Sequence, residues 1–190
     1  MVEGGVGDED GAVRLNLWDF DDTLAASNEV VEVLAARFPD VPYSDWWRDT
    51  KRATQALRET KPFVSMWRTL ARTPGRHVLF SGRAPAAVET WLALHADDPR
   101  IGPAVAKLEE AIPVPQFRRA GERIPDVKLR LIRALVEDGE RDVHLYDDHA
   151  DLPAMVEEAR IPGLTLHRVA HGQLVNGYGC RCAAHRNREA

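Results

Sequence analysis

The stretch that most constrains this chain is Asp19-Phe20-Asp21-Asp22-Thr23-Leu24, directly behind the apolar run Leu15-Asn16-Leu17-Trp18. Two carboxylates two residues apart at the end of a buried strand are costly, because each must be desolvated and like charges repel in a low-dielectric site. A metal ion removes that penalty, and hard cations such as Mg²⁺ take oxygen ligands from one or two carboxylates plus a substrate phosphate. One carboxylate can then act as a nucleophile while its neighbour handles protons. The plainer alternative is an acidic turn whose Asp-Asp-Thr caps a helix.

Three further signals follow in chain order. Val78-Leu79-Phe80-Ser81-Gly82-Arg83 is an apolar run ending in a small hydroxyl and a glycine, which suits hydrogen bonding to phosphoryl oxygens. Lys128 falls in the first turn of an expected helix that Asp126 can cap, and offers a compact positive charge. Val143-His144-Leu145-Tyr146-Asp147-Asp148-His149 is a strand ending in a second carboxylate pair.

This ordered set resembles the haloacid dehalogenase (HAD) superfamily of phosphohydrolases over roughly residues 13 to 169. The four motifs of that family are matched by Asp19 to Leu24, by Ser81, by Lys128, and by Asp147-Asp148. Ser81-Gly82-Arg83 and Tyr146-Asp147-Asp148-His149 are similar to two relatives within it. One is the Swiss Army Knife RNA repair-like HAD group, and the other is the phosphatase domain of polynucleotide kinase-phosphatase. The chain departs from the first in carrying Pro125 where that group has threonine, and no kinase P-loop is present.

The resemblance implies an α/β fold, a Rossmannoid parallel sheet flanked by helices, with the motifs at the strands' carboxyl ends. It also implies a small helical insertion, a cap, between the first and second motifs at about 27–76. Asp19 would attack phosphorus and form an aspartyl-phosphate. Asp21 would protonate the leaving oxygen and then activate water. Mg²⁺ would be held by Asp19, the backbone carbonyl of Asp21, Asp147 and, directly or through water, Asp148. Ser81 and Lys128 would hold the phosphoryl oxygens, with Gly82 offering its amide. Arg83 has two readings, a bidentate contact to the substrate phosphate or a pair with an acid on the surface. His149 is either a substrate contact at the mouth of the site or a loop histidine facing water.

Alternating strand and helix patterns between His77 and Val169 independently argue for a parallel sheet. Strands are expected at 13–18, 77–80, 143–146 and 164–169, and a short one at 114–118, after a helical stretch at 101–112. Asn28 can cap a helix carrying Val30, Val31, Leu34 and Phe38, and Ser44 a second bearing Trp46, Ala53 and Leu57. A third helix is expected at about 62–71. Pro85 fits the first position of a helix bearing Val88, Trp91 and Leu92. Residues 1–12 are acidic and glycine-rich and read as a disordered tail.

At 190 residues the chain holds one domain with a substantial core. A net charge of −5 advertises neither nucleic acid nor an anionic membrane. No apolar run reaches transmembrane length and no signal-peptide pattern opens the chain, so a cytoplasmic protein is expected. Against the global charge, residues 44–76 carry eight basic residues and three acids, interleaved with Phe63 and Trp67 and preceded by Tyr43, Trp46 and Trp47. Basic residues with aromatic platforms suit a phosphate backbone with splayed bases; a solvated helix face with packed aromatics explains the same pattern. In the tail at 170–190, Cys180, Cys182 and His185, with His167 and His171 upstream, have a spacing compatible with a structural Zn²⁺, or are incidental residues of a basic tail. The expected activity is a Mg²⁺-dependent phosphomonoesterase acting on RNA or DNA ends. The alternatives are a phosphatase of small metabolites or nucleotides, and a non-catalytic nucleic-acid-binding module on the same fold.

Overall fold

In the computed structural model of the chain the described residues are 13–41 and 50–175; the readings on 1–12, on Tyr43 to Arg48 and on Cys180, Cys182 and His185 lie outside them. Six strands form one sheet: β1 (Leu15–Trp18), β2 (Arg76–Ser81), β3 (Glu110–Pro113), β4 (Val143–Asp147), β5 (Leu164–Ala170) and β6 (Gln173–Leu174), in the order β3-β2-β1-β4-β5-β6. The first five are parallel and β6 is antiparallel to β5. This is the expected Rossmannoid α/β architecture.

Strand β1 lies between β2 and β4, buried on both faces. Its alternation sends Leu15 and Leu17 into one layer and Trp18 into the other. The Leu17 side is covered by α6 (Ile124–Glu137) and α7 (Leu152–Ala159), through Val127, Ile132 and Leu152. The Trp18 side is covered by α3 (Val64–Arg72), α4 (Pro85–His95) and the short α5 (Gly102–Val105), through Met66, Trp67, Leu70, Val88, Trp91 and Ala104. Each of three buried indoles finds a partner for its N–H. Trp67 donates to the Leu24 carbonyl at 2.9 Å, Trp91 to the Thr60 carbonyl at 3.0 Å, and Trp18 to His77 Nδ1 at 3.1 Å.

The helical insertion between the first and second motifs comprises α1 (Ser27–Arg37), α2 (Thr50–Glu59) and α3. Helix α1 packs on α2, and α2 packs on α4, whereas α3 is the crossover helix lying on the sheet. Trp67 is therefore core, fully buried, and no platform for a base. Phe63, half-buried, packs against the same cluster. Arg76 is also unavailable to a ligand at the motifs. It opens β2 at the end remote from Ser81 and pairs with Glu140 at 2.8 Å, Glu109 at 3.2 Å and Glu110 at 3.8 Å.

Three local expectations are corrected. The short strand is Glu110–Pro113, overlapping the end of the stretch expected to be helical, and 114–117 forms a 3₁₀ turn instead of a strand. Asn28 does not cap α1: its own N–H donates to Asp22 Oδ1 at 3.1 Å, so Asp22 supplies the acceptor at that helix start. Asp126 serves α6 from N3, where its carboxylate accepts the Arg123 N–H at 3.3 Å. The β5–β6 turn, His171-Gly172, has positive φ at both residues, 47° and 66°, as a two-residue hairpin of matching twist demands. Ser65 Oγ donates to the Gly172 carbonyl at 2.6 Å, tying the hairpin to α3.

Candidate active site

Strand order reverses at β1, because β2 and β3 lie to one side and β4 and β5 to the other. Such a reversal opens a crevice at the strands' carboxyl ends. Trp18 and Tyr146 are paired in register and their rings stack at 3.8 Å. The residues that follow them are therefore neighbours, and the Asp19 N–H donates to the Tyr146 carbonyl at 2.9 Å. That pairing delivers Asp19 and Asp147 side by side.

Beyond Asp19 the chain turns tightly. The N–H groups of Leu24 and Ala25 both donate to the Phe20 carbonyl, and Asp22 takes a left-handed φ of 51°. The turn leaves Asp21 half-buried on the rim. From the opposite layer, the first turns of α6 bring Lys128, whose side chain is 4% exposed. Its Nζ stands 2.8 Å from Asp19 Oδ1 and 2.5 Å from Asp147 Oδ2. Burial works against the ammonium, but the carboxylates of Asp147 and Asp19 outweigh it and hold its pKa above the ordinary lysine value.

One lysine does not neutralise this cluster. Asp19, Asp147 and Asp148 each present an oxygen within 4.8 Å of the others. Burial, opposed by Lys128 but aided by Asp147, Asp21 and Asp148, raises the Asp19 pKa well above the carboxylate range. Burial, with Asp147 and Asp22 adding to it, raises Asp148 to about 7. All three donors are hard oxygens, the ligand type Mg²⁺ takes, and a cation among them would relieve their repulsion. The donor set therefore fits the ion implied by the sequence motifs.

The cluster forms the floor of an open cleft of ≈ 270 Å³, walled by Asp19, Asp21, Gly82, Ile124, Pro125, Lys128, Asp147, Asp148 and His149. Seven of these come from the four sequence motifs. Ile124 and Pro125 lie outside those motifs; Pro125 was the available signal, since a proline in a first turn marks the start of α6, and that start lines the cleft. Among the described residues, none of the insertion lines the cleft. His149 stands at the mouth. Its N–H donates to Asp147 Oδ1 at 2.9 Å and its Nδ1 accepts from the Asp151 N–H at 3.2 Å.

Ser81 and Arg83 stand behind the lining. Ser81 is 4% exposed, and its Oγ accepts the Arg83 N–H at 3.1 Å. Arg83 Nε lies 2.8 and 2.9 Å from the two Asp21 oxygens, and Nη2 also donates to Oδ1. Of its two readings, the fork therefore meets an acid, and that acid belongs to the first motif. Tyr146 is a packed residue, stacked between Trp18 and His167, and burial pushes its hydroxyl up to about 12. His167 is buried too, with Nε2 2.7 Å from His144 Nδ1.

No family model matches the sequence, and no curated protein sequence matches it. Among solved structures, a protein from Bacteroides fragilis described as a haloacid dehalogenase-like hydrolase is similar over 92% of each chain, at 15% identity and a TM-score of 0.51. CbbY from Rhodobacter sphaeroides, solved with phosphate, is similar over 90% of this chain and 92% of its own, at 16% identity and a TM-score of 0.49. A phosphoserine phosphatase in its apo form covers 81% and 86%, at 15% identity and a TM-score of 0.43. The first of these likenesses is one of fold.

Proposed function

We propose that this chain is a Mg²⁺-dependent phosphomonoester hydrolase that works through an aspartyl-phosphate on Asp19. A shared fold carries many activities, so the reading rests on the site. The observation that carries it is the Asp19–Lys128–Asp147 bridge, with Asp148 within 4.8 Å, on the floor of an open cleft. A binding module has no use for a buried carboxylate held against a lysine at a cleft that admits a phosphate.

In the mechanism, Asp19 Oδ attacks phosphorus in line with the leaving oxygen, and the P–O bond to that oxygen breaks. Asp21, on the rim, gives the leaving oxygen its proton. Water then attacks phosphorus, its proton passes to Asp21, and the bond from Asp19 to phosphorus breaks. Lys128 fixes the attacking carboxylate and meets the negative charge of the phosphoryl group. Asp19, Asp147 and Asp148 would hold Mg²⁺, which supplies charge neutralisation at the phosphoryl oxygens.

The open cleft supports a phosphate carried on a bulky group, and the Ser81-Gly82-Arg83 and Tyr146 to His149 resemblances support nucleic-acid ends. Trp67 and Phe63 belong to the core and Arg76 to an ion-pair cluster, so the reading leans on the positive charge of α2, which carries Lys51, Arg52 and Arg58. The test is phosphate release from an aryl phosphate, nucleotides, and 3′- and 5′-phosphorylated oligonucleotides, with Mg²⁺ and with excess chelator. Turnover that survives the chelator after dialysis would refute the reading. Replacing Lys51, Arg52 and Arg58 by alanine should raise KM for an oligonucleotide and flatten its salt dependence by roughly one log unit of slope per lost phosphate contact. An equal effect on the aryl phosphate would turn the substrate assignment to small metabolites.

A further inference from the structure

The geometry points to Arg83 as a positioning residue that acts through Asp21, holding that carboxylate toward the cleft, and not as a ligand of the substrate phosphate. This rests on the phosphomonoesterase reading. Three features separate the two roles. The Arg83 side chain is only 8% exposed, and Arg83 is absent from the cleft lining, whereas Asp21 lines it. Its guanidinium meets Asp21 as a fork, with Nε and Nη2 both engaged on the carboxylate. A planar fork on a planar carboxylate fixes the torsion that decides where the oxygens face.

The loop bearing Arg83 is also held from both ends. The Arg83 N–H is tied to Ser81 Oγ, and Pro85 starts α4 two residues later. Between them Gly82 sits so close to Ile124 that a Cβ there would lie 2.9 Å from the Ile124 Cγ2. A side chain anchored in this way is placed to orient a neighbour and poorly placed to follow a ligand. To bind phosphate it would have to leave a partner in a largely desolvated site.

The test compares wild type, Arg83→Ala, Arg83→Lys, Asp21→Asn and the Arg83→Ala/Asp21→Asn double variant, with Mg²⁺, on an alkyl phosphate and on p-nitrophenyl phosphate. Inorganic phosphate affinity is measured by calorimetry on the same proteins. Arg83→Ala should lower kcat about 10- to 100-fold for the alkyl ester and much less for the nitrophenyl ester, whose leaving group needs no proton. KM and phosphate affinity should stay within about twofold, and the loss should vanish in the Asp21→Asn background. Arg83→Lys, which keeps the charge without the fork, should fall between; it carries the test if the alanine variant fails to fold. A roughly tenfold loss of phosphate affinity, or effects that multiply with Asp21→Asn, would overturn the proposal in favour of a phosphate ligand. Because phosphate binding is read without turnover, a wild type that binds phosphate but hydrolyses neither ester would count against the hydrolase reading alone.

Discussion

At the scale of single residues, the site is a charge problem solved by adjacency. Asp19 is buried beside another buried aspartate and is bound to the Lys128 ammonium, which touches both. Asparagine at position 19 keeps the shape but removes both the proposed nucleophile and the charge that pairs with Lys128. Asp19→Asn should therefore abolish turnover, by at least about 10³-fold, while the protein stays folded. Phosphate release and a thermal melt on the same preparation check this; wild-type activity in the variant would exclude Asp19 as the nucleophile. The neighbourhood of Asp19, Asp21, Asp147 and Asp148 was legible in the sequence, because apolar runs announce the strand ends that deliver them, and so was Lys128, from the helix start expected around it. The Arg83 to Asp21 pairing could not. A three-residue motif says nothing about which way a guanidinium turns, because its direction is set by the fold of the loop and by Asp21, which is distant in sequence.

At the scale of elements, helices and buried strands were legible from their periodicity, and edges were not. Strand β3 is four residues long and opens with Glu110, whose register partner is Val78. Charges on a short edge strand guard against further pairing and erase the apolar signal that marks a strand. Trp67 shows a different limit. Composition set it among basic residues, while its spacing with Met66 and Leu70 was the better guide, since all three face the sheet. The β5–β6 hairpin depends on Gly172, where a Cβ would meet the Phe63 ring at 2.1 Å in a backbone already at φ 66°. Gly172→Ala combines left-handed strain with overpacking. It should cost roughly 2–4 kcal/mol and lower Tm by about 5–10 °C. An unchanged melting curve would show that the hairpin is not held against α3.

At the scale of the whole molecule, two sets of partly or fully buried groups oppose one another as pH changes. Asp148, raised to about 7, and Asp19, also raised, bind more protons in the folded than in the unfolded chain between roughly pH 4 and 7. Their contribution to stability is present at low pH and lost as pH rises through that window. Burial lowers His77 and His144, so their contribution is present above about pH 6.5 and lost as pH falls below it. The absolute melting curve mixes the two. A cation at the carboxylates replaces the protons that the first set would otherwise hold, so the rise in Tm caused by Mg²⁺ should grow steadily from pH 5 to pH 8. Scanning fluorimetry with and without Mg²⁺ measures it, and an equal rise at both ends of the range would contradict the assignment. The strand order has a consequence in time. Leu15 cannot meet Val143 until most of the chain has been made, and the closure entropy of that long loop is paid before the contact rewards it. Asp19 is synthesised before Lys128 and Asp147, so a nascent chain carries the proposed nucleophile well before the residues that close the site around it, and the appearance of the proposed turnover during refolding would date the docking of β4 onto β1.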